Sequence, residues 1–171
     1  ANEHSSFGGC AIDGTGSLVI TIPAGTYSLT RHGSDEDDNA SGDLDIRVPV
    51  TLNGAGADAT IIRGDGDMTV NDRVLHIVSN PDVDFAVTLS NLAVTNGYVA
   101  EEYSPVARGG GILSEESLSI NNVAIYENYA EYGGGGVACF PIETVEDEFL
   151  YAYSSSVTDN SCLLYTSPSP R

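Results

Sequence analysis

Val87-Thr88-Leu89-Ser90-Asn91-Leu92-Ala93-Val94 and Leu118-Ser119-Ile120-Asn121-Asn122-Val123-Ala124-Ile125 are two copies of one pattern. In each, apolar and polar residues alternate, an asparagine interrupts, and a second apolar pair resumes the alternation. Another copy starts at Val50-Thr51-Leu52-Asn53-Gly54, and a weaker one is Leu150-Tyr151-Ala152-Tyr153-Ser154-Ser155-Ser156-Val157. From 50 to 87, 87 to 118 and 118 to 150, the starts are 37, 31 and 32 residues apart. A second marker, Gly109-Gly110-Gly111-Ile112, returns 25 residues later as Gly134-Gly135-Gly136-Val137.

Alternation with period two predicts short strands with one face turned inward. No stretch sustains the 3.6-residue period of a helix. Strands this short cannot bury a face alone, so they must stack on copies of themselves. The expected fold is therefore all-β: a single right-handed parallel β-helix of about four to six rungs, with unequal spacings absorbed in loops. Asn91 and Asn122 occupy the same place in their units. Asparagine tolerates the left-handed conformation a corner needs, and its amide can bond to the neighbouring rung.

These segments resemble a family. Ile20-Thr21-Ile22-Pro23-Ala24-Gly25-Thr26-Tyr27-Ser28-Leu29, Gly42-Asp43-Leu44-Asp45-Ile46, Leu52-Asn53-Gly54-Ala55-Gly56, Thr60-Ile61-Ile62 and Asp72-Arg73-Val74 run in the order seen in bacterial CSLREA-type right-handed β-helix proteins. Leu92-Ala93-Val94-Thr95-Asn96-Gly97 and Gly109-Gly110-Gly111-Ile112 continue the resemblance, which covers about residues 18–137. Ala1-Asn2 resembles the end of the CSLREA segment itself, so the chain is expected to begin just after it. The related polymorphic outer-membrane protein repeats carry GGA-I and F-x-x-N elements. Their counterparts here are Gly110-Gly111-Ile112 and Ile125-Tyr126-Glu127-Asn128. The resemblance implies a secreted or cell-surface location, associated with the outer membrane.

At the other end, Cys162-Leu163-Leu164-Tyr165-Thr166-Ser167-Pro168-Ser169-Pro170-Arg171 resembles a translated sequencing adapter. The β-helix fragment is accordingly expected over 1–161, with 162–171 an artefactual tail. Between rungs, Phe140-Pro141-Ile142-Glu143-Thr144-Val145-Glu146-Asp147-Glu148 reads as an acidic loop or a distorted rung. Setting Cys162 aside leaves Cys10 and Cys139, without the CxxC spacing of a zinc framework or a thioredoxin-like motif.

The 171 residues include 25 Asp and Glu against 6 basic residues, all arginine, for a net charge of −19. A lysine-free chain has neither a Walker loop nor a Schiff-base nucleophile. A balance so negative opposes nucleic-acid binding, which needs a basic face. No apolar run approaches the ~20 residues of a membrane-spanning helix.

Four features could carry chemistry. Gly54-Ala55-Gly56-Ala57-Asp58-Ala59 matches the G-x-G-x-x-A of dinucleotide sites, but β-branched Thr60-Ile61-Ile62 follows it where a phosphate-facing helix would be needed; a tight turn is expected. The stretch from Ser34 to Asp45 is the densest set of oxygen donors. From Asp37 it reads D-x-N-x-S-G with Asp45 at position nine, so Asp37, Asn39, Ser41, Asp43 and Asp45 are candidate calcium ligands. Val48 stands where an EF-hand has its glutamate, and without an ion the stretch is a solvated acidic loop. Asp43 and Asp45 are also two apart, expected to share one strand face while Leu44 and Ile46 point inward. Such a pair, with a further acid on a neighbouring rung, could serve a polysaccharide lyase or hydrolase of the pectate-lyase-like superfamily.

Lastly, tyrosines crowd the C-terminal half, and Tyr126, Tyr129 and Tyr132 border the second glycine corner. They could stack on sugar rings or simply cover apolar surface. The histidines His4, His32 and His76 are far apart, and His76, alternating with Val74 and Val78, reads as a wall residue. The function expected is non-enzymatic: a structural or adhesive β-helix module, with no catalytic residues assigned, binding a polysaccharide or cell-surface glycan. The rival is a lyase or hydrolase of the same fold.

Overall fold

The computed structural model describes residues 18–31, 33, 37, 39–64, 72–100, 107–139 and 150–162. Cys10, His4, His32, Tyr103, the acidic stretch 140–149 and 163–171 lie outside these residues. The described chain is all-β, without a helix, and its parallel strands stack as a solenoid of about four turns. In chain order the strands are β1 (Leu18–Thr21), β2 (Gly25–Ser28), β3 (Leu44–Ile46), β4 (Val50–Asn53) and β5 (Thr60–Arg63). Then come β6 (Leu75–Ile77), β7 (Ala86–Thr95), β8 (Tyr98–Val99), β9 (Ile112–Ser114) and β10 (Ser117–Tyr126). β11 (Tyr129–Ala130), β12 (Val137–Cys139), β13 (Leu150–Tyr153), β14 (Ser156–Thr158) and β15 (Ser161–Cys162) complete the series.

One wall is the ladder β1-β4-β7-β10-β13, and beyond the bends at Asn91 and Asn122 it continues as a second column of β2, β5, the later halves of β7 and β10, and β14. Its register runs Leu18, Val50, Val87, Leu118, Leu150, so the repeat starts legible in the sequence are direct hydrogen-bonding neighbours. A second wall stacks β3-β6-β9-β12, and a third stacks β8-β11-β15. The two glycine triplets also align, with Ile112 paired to Val137.

Three kinds of corner join the walls. Asn91, Asn122 and Ser154 have φ of 54°, 52° and 49°, and Asn96, Glu127 and Asp159 have 59°, 55° and 54°. At the third, Gly109 and Gly134 stand at 65° and 60°. A left-handed residue costs an L-amino acid roughly 1–2 kcal/mol and bends the chain. It also resets the alternation. Val87 and Leu89 point inward before Asn91, Leu92 and Val94 point inward after it, and all four are fully buried. The next rung repeats this with Leu118, Ile120, Val123 and Ile125.

Asparagines connect the rungs across two of these corners. Asn91 Nδ2 donates to Asn53 Oδ1 at 2.9 Å, and Asn122 Nδ2 donates to Asn91 Oδ1 at 2.8 Å. A second ladder runs inside the solenoid, where buried Asn128 donates through Nδ2 to Asn160 Oδ1 at 2.9 Å and accepts from Gly97 N at 2.9 Å. Asn128 is the last residue of the F-x-x-N counterpart. Between these corners the core is aliphatic, with columns such as Leu52-Leu89-Ile120 in register. Each such side chain contributes about 1.5–3 kcal/mol through burial.

Gly54–Ala59 is a turn, as expected, and strand β5 follows it. The insertion explains the long 37-residue spacing: Val50 pairs with Val87, yet beyond the turn Ile61 pairs with Ala93, 32 residues on. Thr60 Oγ1 closes the turn by accepting from Ala55 N at 2.8 Å and donating to Pro23 O at 3.1 Å.

Candidate functional site

The wall β3-β6-β9-β12 places Asp45, His76, Leu113 and Ala138 in one outward column. Its inward column is Leu44, Leu75, Ile112 and Val137. The alternation sets Asp45 outward and Leu44 inward, but exposure does not follow it. Asp43 and Asp45 are 3% and 9% exposed, whereas Leu44 is exposed, because it caps its column at the first turn while the loop before β3 covers the acids. Ile46 joins the core as expected.

Of the five candidate calcium ligands, the fold brings Asp37 and Asp45 together. Asn39 is engaged with Asp45 instead. Its N–H donates to Asp45 Oδ2 at 3.0 Å, its Nδ2 donates to Asp45 O at 2.9 Å, and its Oδ1 accepts from Asp45 N at 2.9 Å. Ser41 lies against Gly33 and, with Asn39, Asp43 and Leu44, lines a cleft of about 260 Å³ between this loop and residues 28–31. Asp43 turns toward Arg73, whose Nη1 is 3.5 Å from Asp43 Oδ2 and 3.9 Å from Asp72 Oδ1. Burial, with the nearby Asp72 charge, pushes the Asp43 carboxyl up to about 8; Arg73 opposes the shift and Asp45 adds to it.

What joins Asp37 and Asp45 is His76, the residue that sequence reasoning set aside. Its Nδ1 is 3.4 Å from Asp37 Oδ1 and 3.6 Å from Asp45 Oδ1, and its Nε2 is 3.7 Å from Glu115 Oε1. The imidazole is 7% exposed, and among the described residues neither ring nitrogen makes a hydrogen bond. Asp37 is anchored by Arg47, whose Nε donates to Asp37 O at 2.9 Å and whose Nη2 is 3.5 Å from Asp37 Oδ2. Glu115 accepts from Ser79 N at 3.0 Å; the His76 ring and that N–H, against the opposing effect of burial, hold its carboxyl down at about 2. One signal pointed to His76: the 31-residue step from Val87 to Leu118 also leads from Asp45 to His76.

The tyrosines are distributed over two walls. Tyr126 ends β10, Tyr129 opens β11 and stacks on Tyr98 with ring centroids 4.7 Å apart, and Tyr132 is exposed beyond β11. Cys139 is an exposed free thiol. No helix of the described residues is long and apolar enough to cross a membrane.

No protein-family model, curated protein or solved structure matches this chain. The fold and the Asp37–Asp45–His76 cluster therefore define it as a parallel β-solenoid with an acidic, histidine-centred wall site.

Proposed function

We propose that the chain is a structural and adhesive module of a secreted or cell-surface bacterial protein, a right-handed β-helix of the CSLREA type that binds a surface glycan or polysaccharide without turning it over. The burial of the acid pair carries this reading. Glycosidase carboxylates must flank a scissile bond. Asp43 and Asp45 instead face Arg73 and Asn39, at 3% and 9% exposure. Tyr126, Tyr129 and Tyr132 supply aromatic surface of the kind that stacks on sugar rings.

The lyase or hydrolase reading has one observation in its favour. Asp43, with its raised pKa, is protonated at neutral pH and borders the cleft, as a general acid would be. A paired assay separates the two. The intact chain is expected to bind cells or an acidic glycan array, with binding weakened in Tyr132→Ala. Incubated with acidic polysaccharides and calcium, it is expected to yield neither reducing ends nor unsaturated products. Turnover abolished by Asp43→Asn would establish the enzyme and overturn the adhesive reading.

A further inference from the structure

The loop before β3 and the wall behind it meet at a point where one nitrogen and two carboxylate oxygens converge. Asp37 Oδ1, Asp45 Oδ1 and His76 Nδ1 lie within 4.8 Å of one another. The two nitrogen–oxygen separations, 3.4 and 3.6 Å, are too long for hydrogen bonds. They suit donors that share an ion. Bonds of 2.0–2.2 Å in tetrahedral geometry separate neighbouring ligand atoms by about 3.4 Å.

The partners of each donor point the same way. Asp45 offers Oδ1 because Asn39 N–H holds Oδ2. Asp37 offers Oδ1 because Arg47 lies on the Oδ2 side. On the far edge of the imidazole, Nε2 faces Glu115 Oε1. At 3.7 Å it is beyond hydrogen-bond length, but it stands on the side where a metal-ligating imidazole usually has its outer carboxylate partner. The site is also reachable, since the Asp37 side chain is 53% exposed while His76 is buried. That leaves a solvent side where water can complete the coordination.

We propose that Asp37, Asp45 and His76 form a divalent transition-metal site of the zinc type, with Glu115 and Asn39 as positioning residues. The imidazole distinguishes this site from a calcium loop, because calcium takes oxygen ligands whereas nitrogen suits zinc and its neighbours. Bound there, the ion ties the loop that carries Asp37 to two successive turns, since Asp45 and His76 are register partners on β3 and β6.

The test uses the full chain with its three cysteines replaced by serine, so that thiols such as exposed Cys139 cannot bind the metal. Calorimetric titration with Zn²⁺ is expected to show one ion per chain, and Co²⁺ to give a visible d–d band. Asp37→Asn, at an exposed position where the fold is not at stake, is expected to weaken Zn²⁺ binding at least ~10-fold. His76→Gln is expected to abolish the cobalt band, with circular dichroism confirming that the sheet remains. Saturation with Zn²⁺ should raise the melting temperature, and an equal concentration of Ca²⁺ should leave it unchanged. Zinc binding that survives both substitutions, no binding at all, or stabilisation by calcium in place of zinc would each overturn the proposal. In the last two cases the cluster is, respectively, a metal-free contact between the imidazole and the carboxylates or an oxygen-ligated calcium loop.

Discussion

Removing one rung of the corner ladder tests whether the asparagines hold the turns together or merely tolerate the bend. Asn91 is the central member: it donates to Asn53 and accepts from Asn122, so Asn91→Ala deletes two side-chain hydrogen bonds. Each bond is worth about 0.5–1.5 kcal/mol net, or roughly 1–3 kcal/mol together. Alanine must also adopt the φ of 54° that Asn91 has, which adds about 1 kcal/mol. The expected total is about 2–4 kcal/mol. Asn91→Gly loses the same two bonds without the strain, though its freer unfolded chain offsets about 0.5–1 kcal/mol of that relief. The expected order of stability is therefore wild type, then Gly, then Ala. Urea unfolding followed by tyrosine fluorescence is a suitable assay, since the chain has 9 Tyr and no Trp. A cycle with Asn122→Ala isolates the ladder: the two alanine changes should cost less together than the sum of the singles, by about 0.5–1 kcal/mol. Additive effects, or an Asn91→Ala variant within ~0.5 kcal/mol of wild type, would refute the ladder as a stabilising element.

Two further predictions concern backbone packing and pH. A Cβ on Gly97 would lie 1.8 Å from Gly110 O, backbone against backbone, so Gly97→Ala should cost more than about 3 kcal/mol or prevent folding; an unchanged urea midpoint would mean the turns are less closely stacked than described. Asp43 has its carboxyl raised from 3.8 to about 8, so between these values the folded state holds a proton that the unfolded chain has released. Wild-type stability should consequently fall as pH rises from 4 to 8, by a total on the order of 5 kcal/mol if the full shift is realised, and level off above 8. Asp43→Asn should remove that decline; a wild-type midpoint that holds steady relative to the variant at pH 5 and pH 8 would show that the carboxyl is not buried in this way.

The fold was legible because strand register is a one-dimensional property. Alternation gave the faces, and repeat starts at Val50, Val87, Leu118 and Leu150 coincide with the observed partners. The site was legible only in half, because the walls do not share one period. From one turn to the next, the wall of Val50 advances 37 residues from Val50 to Val87, while the wall of Asp45 advances 31 from Asp45 to His76. The difference lies in loops whose lengths follow no rule visible in the strands, so the partner of Asp45 could not be computed from the partner of Val50. Local reading assembled Asp37 to Asp45 as one loop of ligands. Tertiary packing then spent Asn39 on the Asp45 backbone, sent Asp43 to Arg73, and supplied His76 from the next turn.

Composition likewise does not show which carboxylates the fold buries. The chain has 25 acids and a charge of −19, and among the described residues Asp58, Asp82, Asp84, Glu127 and Asp159 are exposed. Yet Asp43, Asp45, Asp72 and Glu116 are all buried. Asp43 meets the Arg73 guanidinium, and the other three meet backbone donors that the irregular loops would otherwise leave without a partner. Glu116 accepts from Asn80 N at 3.0 Å and Phe85 N at 3.1 Å, Asp72 Oδ1 accepts from Arg73 N at 2.8 Å, and Asp45 accepts from Asn39 N. A solenoid satisfies its strand backbones through neighbouring rungs, but its loops have no such neighbour, and a buried N–H left alone costs about 1–3 kcal/mol. Some of the acid content is thus a consequence of the architecture: short strands need many loops, and an inward carboxylate can close two backbone donors at once, as Glu116 does. Of these buried carboxylates only Asp45 borders His76; its other two acid neighbours, Asp37 and Glu115, come from more exposed positions, so the cluster joins one acid closed in by a loop to two from the surface.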